Sequence, residues 1–286
     1  MTTDRAAGPS LDEPDHARYA FGLDLVREAG RMVLAEPAGV ISTKSPFDLV
    51  TERDLAIERM ARARIAARYP RDRVFGEEEG AKGDGAAGFW VVDPIDGTVN
   101  FALGLPFYAI ALAYARDGVV RAAWVHDPLR AETFGAAAGA GAYLEGHRLS
   151  APNTLPAEAA LLLSTGILSA GAARPDTLGA LVTRYGKVRI LGSQALHLAY
   201  VAASRARAAM TIEAKPWDNL AGALIAAESG LAVHRHIGGA FHAWDGRVAE
   251  SLAGAAGGVP GEPCIAARPN EISDLAARMR ALLEGV

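Results

Sequence analysis

The sequence predicts an α+β half followed by an α/β half, and three observations carry that prediction. After two helical stretches, residues 107–146 read as short strands broken by turn pairs, the pattern of an antiparallel meander. Pro152-Asn153-Thr154-Leu155-Pro156 is the clearest linker in the chain. Beyond it, strand-like and helix-like runs alternate, which marks a layered α/β unit. Half of the 286 residues are apolar and 22% are charged, enough apolar surface for a large core in one domain or two.

The elements follow in order. Residues 1–15 are polar, with Pro and Gly, and are expected to form a loose tail, neither signal peptide nor anchor. His16 to Glu36 shows helical spacing through Tyr19, Leu23, Val26, Ala29, Met32 and Val33. Lys44 to Asp54 reads as a loop and a helix start with Thr51 or Asp54 able to cap, and the helix runs from Asp54 to Tyr69 before Pro70 stops it. Val74-Phe75-Gly76 is a short apolar run ending in Glu77-Glu78-Glu79, and Trp90-Val91-Val92 is a buried strand. Strands over Phe107–Arg116, Gly118–His126 and Glu132–Ala137 turn at Asp117-Gly118 and Asp127-Pro128, and Gly139 to Gly146 looks like a further hairpin. Past the linker come a strand (Ala160–Ser164), a helix (Ala172–Tyr185), a strand (Val188–Leu191), a helix (Ser193–Ala203), a strand (Ala208–Ile212) and a helix (Asp218–Ser229) with a Gly230 stop. The domain division is therefore 1–15, 16–152 and 153–286. No internal repeat is visible, and the alanine richness reads as general composition.

Composition narrows the function. A net charge of −4 without a basic block speaks against nucleic acid as a partner. No stretch reaches the length of a membrane span. Cys264 stands alone, so an internal disulfide is impossible, and a reducing, cytoplasmic setting is expected.

The most informative segment is Trp90-Val91-Val92-Asp93-Pro94-Ile95-Asp96-Gly97-Thr98-Val99-Asn100-Phe101. It drives an apolar strand into two carboxylates on a turn that Pro94 and Gly97 constrain, so Asp93 and Asp96 can converge on one ion. A helix starting near Gly97-Thr98 would present free amides to a phosphate at the same place. Taken alone, the segment is also an ordinary Asp-rich turn. Aspartyl-phosphate chemistry needs Asp-x-Asp-x-Thr, and here two residues separate the aspartates. Two further acidic groups, Glu77-Glu78 and Trp217-Asp218, lie at the end of an apolar run and at a helix start.

Gly76-Glu77-Glu78, Asp93-Pro94-Ile95-Asp96-Gly97-Thr98-x-Asn100-Phe101 and Pro216-Trp217-Asp218-x-x-Ala221-Gly222, in this order, resemble the motifs of the Mg²⁺-dependent, lithium-sensitive inositol monophosphatases. The resemblance runs from about residue 18 to the C-terminus. It implies a layered αβαβα sandwich, a homodimer, and hydrolysis of a small-molecule phosphate ester by metal-activated water. Two or three Mg²⁺ ions per site are implied. Glu77, Asp93 and the Ile95 carbonyl would hold one; Asp93, Asp96 and Asp218 a second; and Glu77 with waters a weaker third. An all-oxygen donor set suits Mg²⁺, and no Cys/His cluster competes for the role. Asp54 and Thr98 match the positions that orient and activate the water, with Glu77 close by, and the amides of Gly97 and Thr98 would take phosphate oxygens. Lys44 falls near a family lysine on the loop beside the metals. Glu78 is expected behind the ligands or on the phosphate side, and Asn100 is expected to bond the site loop. Trp90, Trp124 and Trp217 read as core anchors; His126, His197, His234 and His236 read as structural or exposed.

The substrate end departs from the inositol-phosphate pattern. Relatives acting on that ester carry a glutamate seven residues before the Trp-Asp aspartate, where this chain has Thr211. Glu213 lies five residues before Asp218 and substitutes only if Ala214-Lys215-Pro216 is reshaped. In Gly192-Ser193-Gln194, Gln194 replaces a small residue beside the substrate. The alternatives carried forward are histidinol phosphate, sugar bisphosphates and 3′-phosphoadenosine nucleotides as substrates, and a catalytically idle relative acting as a binding or regulatory partner.

Overall fold

The computed structural model describes residues 13–35, 38–45, 48–83, 87–248, 252 and 261–284. Most of the expected tail, residues 1–12, lies outside them. Residues 13–15 are not tail: helix α1 (Glu13–Ala35) includes them, and Asp15 is buried against Arg116 at 2.9 Å. Ahead of α2 (Glu52–Arg68), the expected loop is a hairpin of β1 (Ile41–Ser45) and β2 (Asp48–Thr51). Its apolar Ile41 is exposed, so no alternation of buried and polar positions marks it in the sequence, and Pro46 and Phe47 fall outside the described residues. Thr51 is the cap of α2: its hydroxyl accepts from the amides of Arg53 and Asp54, and Asp54 accepts the Thr51 amide at 2.9 Å. Such a reciprocal box contributes about 1 kcal/mol.

An eight-stranded sheet follows from β3 (Asp72–Gly76), β4 (Gly80–Lys82), β5 (Gly88–Asp96), β6 (Ala109–Arg116), β7 (Val119–Asp127), β8 (Glu132–Ala137), β9 (Gly141–Leu144) and β10 (His147–Arg148). Its order is β10-β9-β8-β7-β6-β5-β3-β4, antiparallel throughout except for the β3/β5 pair. A short helix, α3 (Thr98–Leu103), leaves the end of β5.

The second sheet holds β11 (Leu161–Leu163), β12 (Val188–Arg189), β13 (Ala208–Thr211), β14 (Ala232–Ile237), β15 (Ala240–Ala243) and β16 (Cys264–Ala267), ordered β12-β11-β13-β16-β14-β15. Only the pairs made by β11 are parallel, so the sheet is mixed. Its helices are α4 (Thr165–Ala172), α5 (Pro175–Tyr185), α6 (Gln194–Ala202), α7 (Pro216–Glu228) and α8 (Ile272–Leu283). The helix expected over Ala172–Tyr185 is α5, which starts three residues later, and α4 ahead of it has no counterpart among the elements expected from the sequence. Pro175 starts α5, because in the first turn its missing N–H is not needed.

The layers alternate. Helices α1 and α2 cover one face of the first sheet, α6 and α7 lie between the sheets, and α4, α5 and α8 cover the outer face of the second. This is the αβαβα sandwich. Strand periodicity sets the assignment on β6: Ile110, Leu112 and Tyr114 pack with Trp90 and Trp124 toward α1 and α2, while Ala109, Ala111 and Ala113 face the middle layer. Helix α7 is buried along Asn219–Ala226 because it touches both sheets. A Cβ on Gly222 would come within 2.5 Å of Leu198 on α6. Alanine richness is thus a packing requirement of the middle layer and not mere composition.

Candidate metal centre

Strand β5 delivers two of the carboxylates. Its pairing with β6 slips between Asp93 and Asp96, and Asp93 Oδ1 accepts the Ile95 amide at 3.1 Å, so the turn is held by its own first carboxylate. Parallel pairing with β3 puts Gly76 opposite Val92, and the Glu77 amide donates to Val92 O at 3.2 Å. Glu77 therefore emerges beside Asp93. Asp218 arrives from the first turn of α7, where it accepts the Lys215 amide at 2.7 Å. Asp93, Asp96 and Asp218 each offer an oxygen, all within 4.8 Å of one another.

Such crowding has an electrostatic signature. Burial, then the charges of Glu77, Asp96 and Asp218, push Asp93 far above the ordinary carboxylate range. Asp218 rises for the same reasons, burial first and Asp96 next. Burial lifts Asp96 to about 6, against hydrogen bonds that favour its charged form. Glu78 reaches about 7 through burial and Glu77, although Lys44 pulls it down. Lys44 answers this excess of negative charge. Its Nζ sits 2.9 Å from Glu77 Oε1 and 2.6 Å from Glu78 Oε1, and the two carboxylates raise its pKa despite burial. An ammonium is drawn to the oxygens expected to hold a cation, and the donor set contains oxygen alone, so the residues present fit Mg²⁺.

Asp54 stands at the edge of this cluster, wholly buried. One of its oxygens is taken by the Thr51 cap, and the other lies 3.3 Å from Thr98 Oγ1, which is also 3.0 Å from Ile95 O. The Thr98 hydroxyl has one proton and serves one acceptor at a time, leaving the pair able to hold a water. Burial raises the Asp54 pKa while the Thr51 bonds oppose it.

Asp96 reaches into the second half of the chain. It accepts Ser193 Oγ at 2.5 Å and the amides of Gln194 (3.2 Å) and Ala195 (2.6 Å), the N-terminus of α6. Ser193 was legible as a helix start but gave no sign of its partner. Gly97 and Gly192 meet at the same seam. Both have φ in the left-handed region, 98° and 84°, and a Cβ on Gly97 would lie 2.9 Å from Gly192 O. Asn100 ties the seam by donating to Phe107 O and Leu191 O, each at 2.7 Å, as its expected role of bonding the site loop requires.

A cavity of about 190 Å³ opens beside Asp96 and Asp218, lined by Ser164, Gln194, His197, Thr211 and Glu213. Gln194 Nε2 donates to Asn219 Oδ1 at 3.1 Å. Gln194 Oε1, Thr211 Oγ1 and His197 Nδ1 are buried without a protein partner. Burial lowers the His197 pKa to about 4, so the ring is neutral at pH 7. Glu213 lies at the cavity wall, but its carboxylate accepts Ser164 Oγ and Gly166 N at 2.7 Å each, and Ile212 N at 3.2 Å, and so caps α4.

Among known families, the inositol monophosphatase family matches residues 17–274. The chain belongs to that family. It is 36% identical to a fructose-1,6-bisphosphatase/inositol-1-monophosphatase of Thermotoga maritima over 74% of this chain and 82% of that protein. It is 38% identical to an inositol-1-monophosphatase of Mycobacterium leprae over 74% of this chain and 75% of the relative. It is also 38% identical to the Nus factor SuhB of Pseudomonas aeruginosa over 73% of this chain and 82% of that protein. Among solved structures, the Thermotoga maritima IMPase superposes with a TM-score of 0.77 at 28% identity, covering 94% of this chain and 98% of the other. Mycobacterium tuberculosis SuhB gives 0.73 at 31%, covering 95% and 98%. Members of this family are phosphatases, and among the described residues no helix is long and apolar enough to cross a membrane.

Proposed function

We propose that this protein hydrolyses a small-molecule phosphomonoester with Mg²⁺, using Glu77, Asp93, the Ile95 carbonyl, Asp96 and Asp218 as ligands. The observation that carries the reading is the approach of three aspartate oxygens within 4.8 Å, with the Asp54–Thr98 pair beside them. Bound Mg²⁺ would lower the pKa of a ligated water and stabilise charge on the ester oxygens. The chain's own groups do the rest. Thr98 and Asp54 hold the attacking water, with Asp54 taking its proton, and the Gly97 and Thr98 amides orient the phosphate. Ser193 and the amides of α6 fix Asp96. Gln194, Thr211 and the Gly192 backbone receive the alcohol, with Glu213 shaping the wall. A homodimer and sensitivity to Li⁺ are proposed on the same family grounds.

The alcohol differs from the inositol pattern. Thr211 in the cavity supplies a neutral hydroxyl where a carboxylate would accept from a ring diol, and Glu213 spends its oxygens on α4. A phosphate-release screen over a panel of phosphomonoesters with Mg²⁺ tests the reading; no release from any ester would reject it. A second reading, a catalytically idle binding or regulatory partner, draws support from relatives that carry the name Nus factor SuhB. The Asp93→Asn variant separates the two, because it removes turnover while leaving a purely binding role in place.

A further inference from the structure

Helix α2 carries a second buried carboxylate that hydrolysis does not use. Glu58 is one turn after Asp54, on the same face of the helix, and is 0% exposed. Its Oε1 accepts from Arg62 Nε at 2.9 Å, from Arg62 Nη2 at 2.8 Å and from the Glu79 amide at 2.9 Å. Its Oε2 accepts the Glu78 amide at 2.8 Å. Arg62 extends the grip by donating Nη1 to Val74 O at 3.1 Å and Nη2 to Gly80 O. The pair thus holds both strands of the β3–β4 hairpin and the turn between them, the turn that bears Glu77. A Cβ on Gly76 would lie 2.2 Å from the Glu58 carboxyl carbon, so glycine at 76 is what admits the carboxylate.

A purely structural account has Glu58 satisfy two amides of a tight turn. Two observations go further. Net stability is a poor reason for a buried ion pair, which an apolar pair often matches. And Lys44 Nζ holds both Glu77 and Glu78, so a turn released from Glu58 keeps a cation that competes for its carboxylates.

We propose that Glu58, backed by Arg62, is a positioning residue for the metal: it holds the Glu77 turn in ligating position and, through α2, keys that turn to Asp54. The proposal rests on the reading of Glu77 as a ligand. Calorimetric titration of the full chain with Mg²⁺ alone tests it. In Glu58→Gln, one side-chain atom becomes a donor facing a backbone N–H. The Mg²⁺ dissociation constant should rise at least about tenfold, as for other groups that support metal ligands. Turnover at saturating Mg²⁺ should fall less than about threefold, a split that a merely structural defect would not give. Because Glu58→Gln leaves Arg62 buried without its partner, Glu58→Gln/Arg62→Gln is measured beside it. Hydrogen exchange on the metal-free wild type should show the Glu78 and Glu79 amides protected, and absence of that protection rejects the clamp even if neither variant folds. Wild-type Mg²⁺ affinity in a folded variant, or open-loop exchange at both amides, overturns the proposal. If the wild type binds no Mg²⁺, the metal reading itself fails, and the amide exchange still reports whether the clamp exists.

Discussion

The metal cluster and the cavity beside it are built by opposite rules. Around Asp93, Asp96 and Asp218 each carboxylate is fixed by at least one bond: from the Ile95 amide, from Ser193 and the α6 amides, and from the Lys215 amide. In the cavity, Gln194 Oε1, Thr211 Oγ1 and His197 Nδ1 have no protein partner at all. The first region is a crowd of anchored carboxylates; the second adds to the Glu213 wall three buried neutral atoms short of hydrogen-bond partners. On the proposed reading, the groups for the reaction are anchored by the fold itself, whereas selectivity falls to a few buried neutral atoms that a bound alcohol would satisfy.

The largest effects are expected at the carboxylate cluster. Asp93→Asn should abolish turnover and Mg²⁺ binding, measured by phosphate release and calorimetry, because this carboxylate is proposed to bridge two ions. Thr98→Ala and Asp54→Asn should keep most of the Mg²⁺ affinity but slow turnover by about 10²–10⁴-fold, the range of proton-handling groups. Normal binding and normal rates in all three would remove the water-activation scheme.

Burial and mutual repulsion raise Asp93, Asp96 and Asp218 in the folded state above ordinary carboxylate values, Asp96 to about 6. The folded, metal-free chain therefore binds more protons than the unfolded chain. The stability this confers is complete below the ordinary carboxylate pKa and is lost as pH rises through the raised values. Mg²⁺ replaces those protons, so the gain in Tm on adding it should be larger at pH 8 than at pH 5. At a hundredfold excess over Kd the gain corresponds to about 2.7 kcal/mol. Equal Tm shifts at the two pH values would contradict the proposed ligand set.

At the neutral end the effects are smaller. Inositol 1-phosphate should be turned over with a kcat/KM at least about tenfold below that of a better ester, a gap of about 1.4 kcal/mol, and Thr211→Glu should narrow it. Inositol 1-phosphate leading a broad panel, or a ranking unmoved by Thr211→Glu, would show that position 211 does not select the alcohol.

These two ends were also unequally legible. Asp93-Pro94-Ile95-Asp96 carries its chemistry in local spacing, whereas the convergence of Glu77 and Asp218 on it was implied by the resemblance of the three motifs to the family. The ties that organise them are not local. Ser193 meets Asp96 across 97 positions, and Glu58 meets Glu78 and Glu79 across about 20, contacts that no periodicity encodes. The fold shows the same division. The meander and the helices with apolar stripes were readable, whereas β14, β15, β16 and α8 have no reading from the sequence, and the β1–β2 hairpin passed for a loop. Its side chains are largely exposed, so its pattern lacks the alternation that burial imposes.

The Asp93–Asp96–Asp218 cluster with Glu77 is proposed to hold Mg²⁺, and hydrolysis is proposed to require that ion. Phosphate release from a broad panel of phosphomonoesters, followed while Mg²⁺ is added to chelator-treated protein, tests it most directly. Turnover should be absent in excess chelator and recover fully on adding Mg²⁺, with Asp93→Asn silent throughout. Full turnover in excess chelator would contradict that requirement.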